Sequence, residues 1–375
     1  MKFQFLVGAA MATVAFGRTT HKDLAAANYD YSLEELMTEF DLDYAEEELD
    51  DRRAILKDNL EKIKAHNSAG TSTYVMGVNE FAAMTSEEFK TYMQGYKNQG
   101  VDIQDMEAAD LSGHVATSEL PASLDWRTKN VVTPPKNQGG CGSCWAFSAT
   151  ETVESNVAIN TGKLLELAPQ EYVSCAPNPD HCGGTGGCEG STQWLAFNYS
   201  LTKGLALEKV YPYMGADTKC DESKEKAVVS ITGYQRLPQN NYTALMNAVA
   251  TIGPIAISAA AEPWQLYEGG IYDGDCGADV DHAIQLVGYG NATAGLLKKE
   301  DKDYWLVRNS WGASWGEDGY IRIERFGETS EGEPCLTDKH PDDGTACAGG
   351  PKEIQVCGLC GLMSDSSYVV GGALV

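Results

Sequence analysis

Two rhythms of apolar residues divide the chain. Between positions 48 and 67, Glu48, Arg52, Leu56, Asn59, Ile63 and Asn67 follow one another at helical spacing, which puts all six on one face of a helix. Between 144 and about 159 the run is free of Gly and Pro and its apolar residues keep the same period, so a long helix is predicted to start at a cysteine. Shorter helical texture lies at 170–173 and 191–199. Beyond 228 the period becomes that of strands, at 228–231, 254–257, 283–289, 304–308 and 319–323. A helical half followed by a strand-rich half predicts an α+β protein whose two parts meet at a cleft.

Composition changes the picture chiefly at the N-terminal end. The 375 residues, 43% of them hydrophobic, suffice for two domains or for one domain and a removable segment. Met1-Lys2, an apolar run over 3–14 and Ala15-Phe16-Gly17 have the charged, hydrophobic and small-residue regions of a secretory signal; a buried N-terminal helix is the alternative. That run is too short to span a bilayer, and no second stretch approaches the roughly twenty apolar residues a span needs. Sequons at Asn198, Asn241 and Asn291 fit a secreted chain. All eleven cysteines lie from Cys141 onward, and their odd number leaves one thiol over if the others pair.

Residues 18–119 hold no cysteine and are acidic, and over 99–119 small, polar and acidic residues replace periodicity, as in an exposed linker open to cleavage. A packed apolar pattern resumes at Leu124-Asp125-Trp126-Arg127. The expected division is therefore a signal at 1–17, a prosegment at 18–119 and a mature domain at 120–375. A net charge of −26 argues against nucleic acid and anionic membrane surfaces as partners and fits an acidic compartment.

Candidate chemistry gathers around Gln138-Gly139-Gly140-Cys141-Gly142-Ser143-Cys144-Trp145, where a glycine-rich loop delivers a thiol to the start of the long helix. A helix N-terminus favours thiolate over thiol, and thiolate is the attacking form of cysteine. Its base has to be a histidine. Of the six, His21, His66 and His114 fall in the prosegment, His181 and His340 sit in Cys- and Gly-rich loops, and His282 heads a predicted strand. A third group must accept the imidazole's other N–H, and Asn309, close to Trp311 and Trp315, offers a carbonyl without adding charge. Two rival uses of cysteine stay open at this level. Cys141-x-x-Cys144 could be a redox pair, although no β-α-β context precedes it, and Cys357-Gly358-Leu359-Cys360 could contribute to a zinc site. The glycine run at 183–187 lacks a following Lys-Ser/Thr and is not a phosphate loop.

In order along the chain, Cys141-Gly142-Ser143-Cys144-Trp145, His282 ahead of Gly288-Tyr289-Gly290, and Asn309-Ser310-Trp311-Gly312 resemble the motifs of papain-like cysteine peptidases of the cathepsin L type. The six-residue helix face resembles that family's propeptide helix, with Leu56 where Phe is usual. Gly77-Val78-Asn79-Glu80-Phe81 resembles the strand and turn after it, with Ala83 where the family has Asp. The resemblance implies a papain-like fold, helical on one side and antiparallel β-barrel-like on the other, preceded by a mainly helical inhibitory propeptide. It implies Cys144 as nucleophile, His282 as general acid/base, Asn309 as orienter and Gln138 as oxyanion donor beside the Cys144 N–H.

By the same resemblance, Gly190 and Ser191 would pair with the substrate backbone, Ser258 and Ala283 would wall the main specificity pocket, and Trp311 would shield the site. Asp365 would form the pocket floor, where an ionised carboxylate admits basic P2 side chains; a solvent-exposed loop position is its other reading. Disulfides Cys141–Cys188, Cys175–Cys220 and Cys276–Cys360 are implied, which leaves Cys182, Cys335, Cys347 and Cys357 to close two more in any of three pairings.

The implied function is that of a cysteine endopeptidase made as an inactive zymogen, with protein or peptide substrates and its own propeptide as intramolecular inhibitor. No metal and no cofactor is expected. A monomer is expected, in the secretory pathway: lysosome, vacuole or outside the cell. Release of the propeptide is expected at acidic pH, where protonation weakens carboxylate pairs between prosegment and enzyme. An exopeptidase of this fold would need a loop closing one end of the cleft, and the 178–187 insertion carries only His181; a non-catalytic binding protein on the scaffold would typically have lost the nucleophile or base. The stretch 327–356 is longer than the family requires, with no role implied by the resemblance.

Overall fold

The computed structural model describes residues 18–94, 109, 111–295, 299–327, 332–347 and 349–375. The signal at 1–17 and most of the linker before residue 111 lie outside them. In the prosegment, helices α1 (His21–Ala26), α2 (Leu33–Phe40) and α3 (Leu49–Ala69) precede strand β1 (Tyr74–Met76) and helix α4 (Ser86–Gln94). Capping boxes start the two short helices, Thr20 with Asp23 and Ser32 with Glu35.

On α3 the predicted face is the buried one, with Leu56, Leu60 and Ile63 packed among Leu24, Leu33 and Leu36. Its asparagines are buried because they satisfy the backbone that follows. Asn59 Nδ2 donates to the carbonyls of Ala82 (2.8 Å) and Met84 (2.9 Å), and the Asn67 amide exchanges two hydrogen bonds with the backbone of Met76 (2.8 and 2.9 Å). Arg52 donates to the Ala83 carbonyl and pairs with Glu88 and Glu48. One carboxylate partner of this arginine is thus supplied from α4 and the other by Glu48 just ahead of α3, and Ala83 contributes only backbone.

The mature part opens with β2 (Leu124–Asp125), then α5 (Cys144–Thr161), α6 (Pro169–Cys175) and α7 (Gln193–Lys203). Helix α5 begins at the cysteine as predicted and is buried almost all round, between the other two helices and the sheet. Next come β3 (Val229–Ser230), β4 (Gly233–Arg236), α8 (Tyr242–Thr251), β5 (Ile255–Ala259), β6 (Tyr267–Tyr272), β7 (His282–Ala294), β8 (Glu300–Arg308) and β9 (Tyr320–Glu324). A hairpin, β10 (Cys335–Asp338) with β11 (Ile354–Cys357), precedes β12 (Ser366–Val370) and β13 (Ala373–Leu374).

Nine strands form one sheet in the order β1-β6-β9-β8-β7-β5-β12-β4, with β2 added on β7. Only the β6–β9 pairing in it is parallel. Strand β1 comes from the prosegment, so the inhibitor extends the enzyme's own sheet, Tyr74 opposite Gly270 and Val75 opposite Gly269. Strands β4, β6 and β12 and the β10–β11 hairpin were not predicted. In β4 all four residues are half-buried, so no alternation marks it.

The three implied disulfides are present, and the remaining four cysteines pair as Cys182–Cys347 and Cys335–Cys357. Bonding of Cys141 to Cys188 removes the redox-pair alternative, and disulfides at Cys357 and Cys360 remove the donors of the zinc alternative. No helix among the described residues is long and apolar enough to cross a membrane.

Candidate active site

Cys144 is the first residue of α5, after Ser143, so its backbone N–H is one of those a helix leaves without an intrahelical acceptor. It is the one cysteine outside a disulfide, and it is buried. His282 begins β7 opposite Ala259 of β5, and the end of β8 delivers Asn309 to it. The His282 Nε2 to Asn309 Oδ1 distance is 2.8 Å, and the same oxygen accepts the Ser310 N–H at 2.8 Å. Because that backbone donor identifies Oδ1 as the acceptor, Nε2 must carry the ring proton and Nδ1 is the basic nitrogen.

Buried Nδ1 makes no hydrogen bond among the described residues, and Cys144 and His282 line one cavity. Trp311 stacks on the imidazole at 4.8 Å and 26°. Burial pushes the His282 pKa down to about 4, against the raising effect of the Asn309 hydrogen bond. An imidazolium in this covered site therefore depends on a thiolate beside it.

Gln138 is wholly buried in front of α5. Its Oε1 accepts from Ser310 Oγ (2.6 Å), while Nε2 donates to the carbonyls of Cys141 and Met93, both at 3.1 Å. Met93 belongs to α4, so a prosegment carbonyl occupies this amide donor. Nearby, Tyr92 lies against Gly140, whose Cβ, if present, would be 3.1 Å from its ring. Phe81 and Phe89 meet Trp311 edge-on, at 6.0 and 5.1 Å.

Gly190, Ser191, Ser258 and Ala283 line the Cys144–His282 cavity. Trp311 lies on the other side of the imidazole, under the prosegment aromatics. Asp365 departs from its exposed-loop reading, and its carboxylate is not an open one. It is 2% exposed, so it is no surface loop residue, and it is not among the cavity-lining residues. Its Oδ2 accepts from Gln193 Nε2 (2.7 Å) and Ser258 Oγ (3.0 Å), and its Oδ1 from Arg236 Nη2 and Nε (2.8 and 3.1 Å). The open carboxylate expected at the pocket floor is thus replaced by one already matched to an arginine.

Sequence reasoning missed Arg236 and Gln193, which only strand register and helix placement bring to Asp365; β12 sets Ser367 opposite Arg236. It also missed Asp343 and Gly344, which line the cavity from the 327–356 insertion.

A thiol at a helix start facing a histidine and asparagine on an antiparallel sheet, with an inhibitory segment across the cleft, defines a zymogen of the papain-like cysteine proteases. Residues 120–338 match the papain family cysteine protease domain and 34–89 the cathepsin propeptide inhibitor domain (I29), and the chain belongs to the papain family. It is a hydrolase of peptide bonds that acts on protein substrates and is inhibited within the same chain by its propeptide. Among its relatives, the Oryzain beta chain of Oryza sativa subsp. japonica is 42% identical over 279 residues, 73% of this chain and 57% of that one. Procathepsin L of Rattus norvegicus is 41% identical over 290 residues, 75% of this chain and 83% of the other. The solved structure of a recombinant stem bromelain precursor superposes with a TM-score of 0.71 at 34% identity, covering 90% of this chain and 97% of that one. The family match ends at residue 338, where the β10–β11 hairpin begins to turn.

Proposed function

We propose that Cys144 and His282 are the reacting pair of this endopeptidase, that 1–17 directs it into the secretory pathway, and that removal of 18–119 releases a monomeric mature enzyme, 120–375. The observation that carries the assignment is the His282–Asn309 hydrogen bond, which leaves Nδ1 as the basic nitrogen in the cavity that Cys144 also lines. In turnover His282 Nδ1 takes the thiol proton, Cys144 Sγ attacks the scissile carbonyl, and the imidazolium returns the proton to the leaving amine. Water activated by His282 then opens the thioester. The Gln138 amide and the Cys144 N–H receive the oxyanion, each such donor being worth about 10²–10³ in rate. Support for this role comes from the Met93 carbonyl, which sits on the Gln138 amide in the precursor.

Ser258 and Ala283 wall the P2 pocket, with Gly190 and Ser191 as the edge that pairs with the substrate backbone. Asp365, matched by Arg236, fixes Ser258 from behind, so uncharged P2 side chains are preferred. The acidic chain suits a lysosome, a vacuole or an acidic extracellular medium.

The test uses acid-treated protein. Wild type should acquire an N-terminus near Leu120, take an epoxysuccinyl inhibitor on Cys144 and cleave a dipeptidyl fluorogenic substrate, while Cys144→Ala does neither. A processed wild-type protein that neither takes the label nor cleaves would sink the assignment.

A further inference from the structure

The described residues of the 327–356 insertion have a built structure, and the family match stops within it, at residue 338. Its base is closed by the Cys335–Cys357 disulfide, between residues directly opposite in the β10–β11 hairpin. Its tip is tied to the helical part of the enzyme by Cys182–Cys347 and by a Gly183 N–H to Ala346 carbonyl bond of 2.9 Å. Both tip cysteines are buried, against Leu195. Towards the sheet part, buried Asp338 accepts from the Val280 and His340 N–H groups (3.4 and 2.8 Å).

Between these anchors Gly344 is wedged across the cleft. A Cβ on Gly344 would lie 1.8 Å from the Val280 carbonyl oxygen and 2.9 Å from the Asp281 Cα. A Cβ on Gly183 would lie 2.5 Å from the Gly344 carbonyl oxygen and 2.8 Å from that of Ser191. One turn of chain therefore touches the Gly183–Ser191 wall and the Val280–Asp281 wall at once. Asp343 and Gly344 line the same cavity as Cys144, His282, Gly190, Ser191 and Ser258. With Ser258 and Ala283 assigned to the P2 pocket, the side closed is the one that would hold substrate residues N-terminal of the scissile bond. The 178–187 loop anchors a closure supplied from far along the chain, the bonded cysteines being 165 positions apart.

We propose that residues 338–347 are a disulfide-anchored strap that ends the substrate groove at P2, so that the enzyme reads P1 and P2 and turns a longer chain out of the groove past exposed Asp343. The proposal rests on the assignment of Cys144 and His282 as the reacting pair. It makes the strap a specificity element: residues beyond P2 add no binding in the groove.

Processed enzyme, its active sites counted with an epoxysuccinyl inhibitor, would be given acetyl-capped fluorogenic peptides with two, three and four residues N-terminal of the scissile bond. In wild type, kcat/KM should stay within about twofold across the series. In Cys182→Ser/Cys347→Ser it should rise about tenfold from two residues to four, as the groove opens. Alkylation and intact mass, in the same buffer, verify that the wild-type Cys182–Cys347 bond survives. Equal gains with length in both proteins overturn the strap. Should the double variant fail to fold, Asp343→Trp gives the answer, since that side chain is exposed: bulk where the chain leaves the groove should lower kcat/KM about fivefold for the three- and four-residue peptides relative to the two-residue one, and an unchanged length series overturns the proposal. Failure of the inhibitor to titrate wild type would instead overturn the assignment of the reacting pair, whatever the length series shows.

Discussion

Asp365 shows how one contact changes the meaning of a residue. A carboxylate at a pocket floor attracts a basic substrate side chain only if its charge is not already matched, and here Arg236 forks onto Oδ1 while Gln193 and Ser258 hold Oδ2. Removal of the arginine leaves a buried carboxylate that lacks its cation. Arg236→Gln should therefore lower stability while raising the ratio of basic to apolar P2 cleavage about tenfold, read by peptide-library profiling. Asp365→Asn in the same background should abolish the gain; a P2 profile identical in all three proteins would mean that the pair does not govern the pocket. Gln138 and Asn309, by contrast, have partners consistent with their assigned roles. Both are held by Ser310, through its hydroxyl and its N–H, so one serine fixes both amides.

Among the elements, α3 and α4 locate the acid sensitivity of the precursor. Two carboxyl groups at the contact with the enzyme, Glu80 and Glu268, are shifted the wrong way for release by acid. Burial raises Glu80, against its Ser314 hydrogen bonds, and burial raises Glu268 to about 7, against the His21 N–H and Arg18. A carboxyl group whose pKa is higher docked than free takes up a proton on docking, so these two contacts strengthen as pH falls. Glu88 behaves in the opposite sense. Burial raises it, but the Thr85 N–H and Arg52 outweigh burial, and its net pKa is lowered. The stability it contributes is present above the unfolded carboxylate pKa of about 4.3 and is lost as pH falls through the lower folded value. Acid should thus loosen the α3–α4 junction within the prosegment first. Glu88→Gln is expected to move half-maximal processing to higher pH, and Glu268→Gln not to do so, as followed by the appearance of the mature N-terminus across a pH series. Unchanged midpoints in Glu88→Gln would place the sensor elsewhere.

At the level of the whole molecule, inhibition is a matter of shared architecture. The prosegment adds β1 to the enzyme's sheet, puts the Met93 carbonyl on Gln138 and sets Phe81 and Phe89 edge-on against the tryptophan that covers His282. Phe89 is fully buried, and truncating a buried Phe to Ala costs about 3–5 kcal/mol. In full-length precursor, Phe89→Ala should let an epoxysuccinyl inhibitor label Cys144 at neutral pH at least about 100-fold faster than in wild type, at a cost of roughly 2.7 kcal/mol in closure. Equal labelling rates would show that the aromatic contact does not hold the cleft shut.

Local chemistry along the chain was enough to locate the long helix at Cys144, the strand at His282, the six-residue face of α3 and the single thiol outside a disulfide, because each depends on short-range period, a motif or a count. Even the asparagines of α3 were placed on the correct face, though their reason, the backbone of Met76, Ala82 and Met84, was not visible. Contacts between distant segments decided the rest. Arg236 reaches Asp365 across 129 positions and Cys182 reaches Cys347 across 165, and no local period records which half-buried strand lies beside which. Those two long-range pairings are what the proposed pocket charge and groove length rest on, whereas the thiol and imidazole proposed to react were already legible from the order of residues.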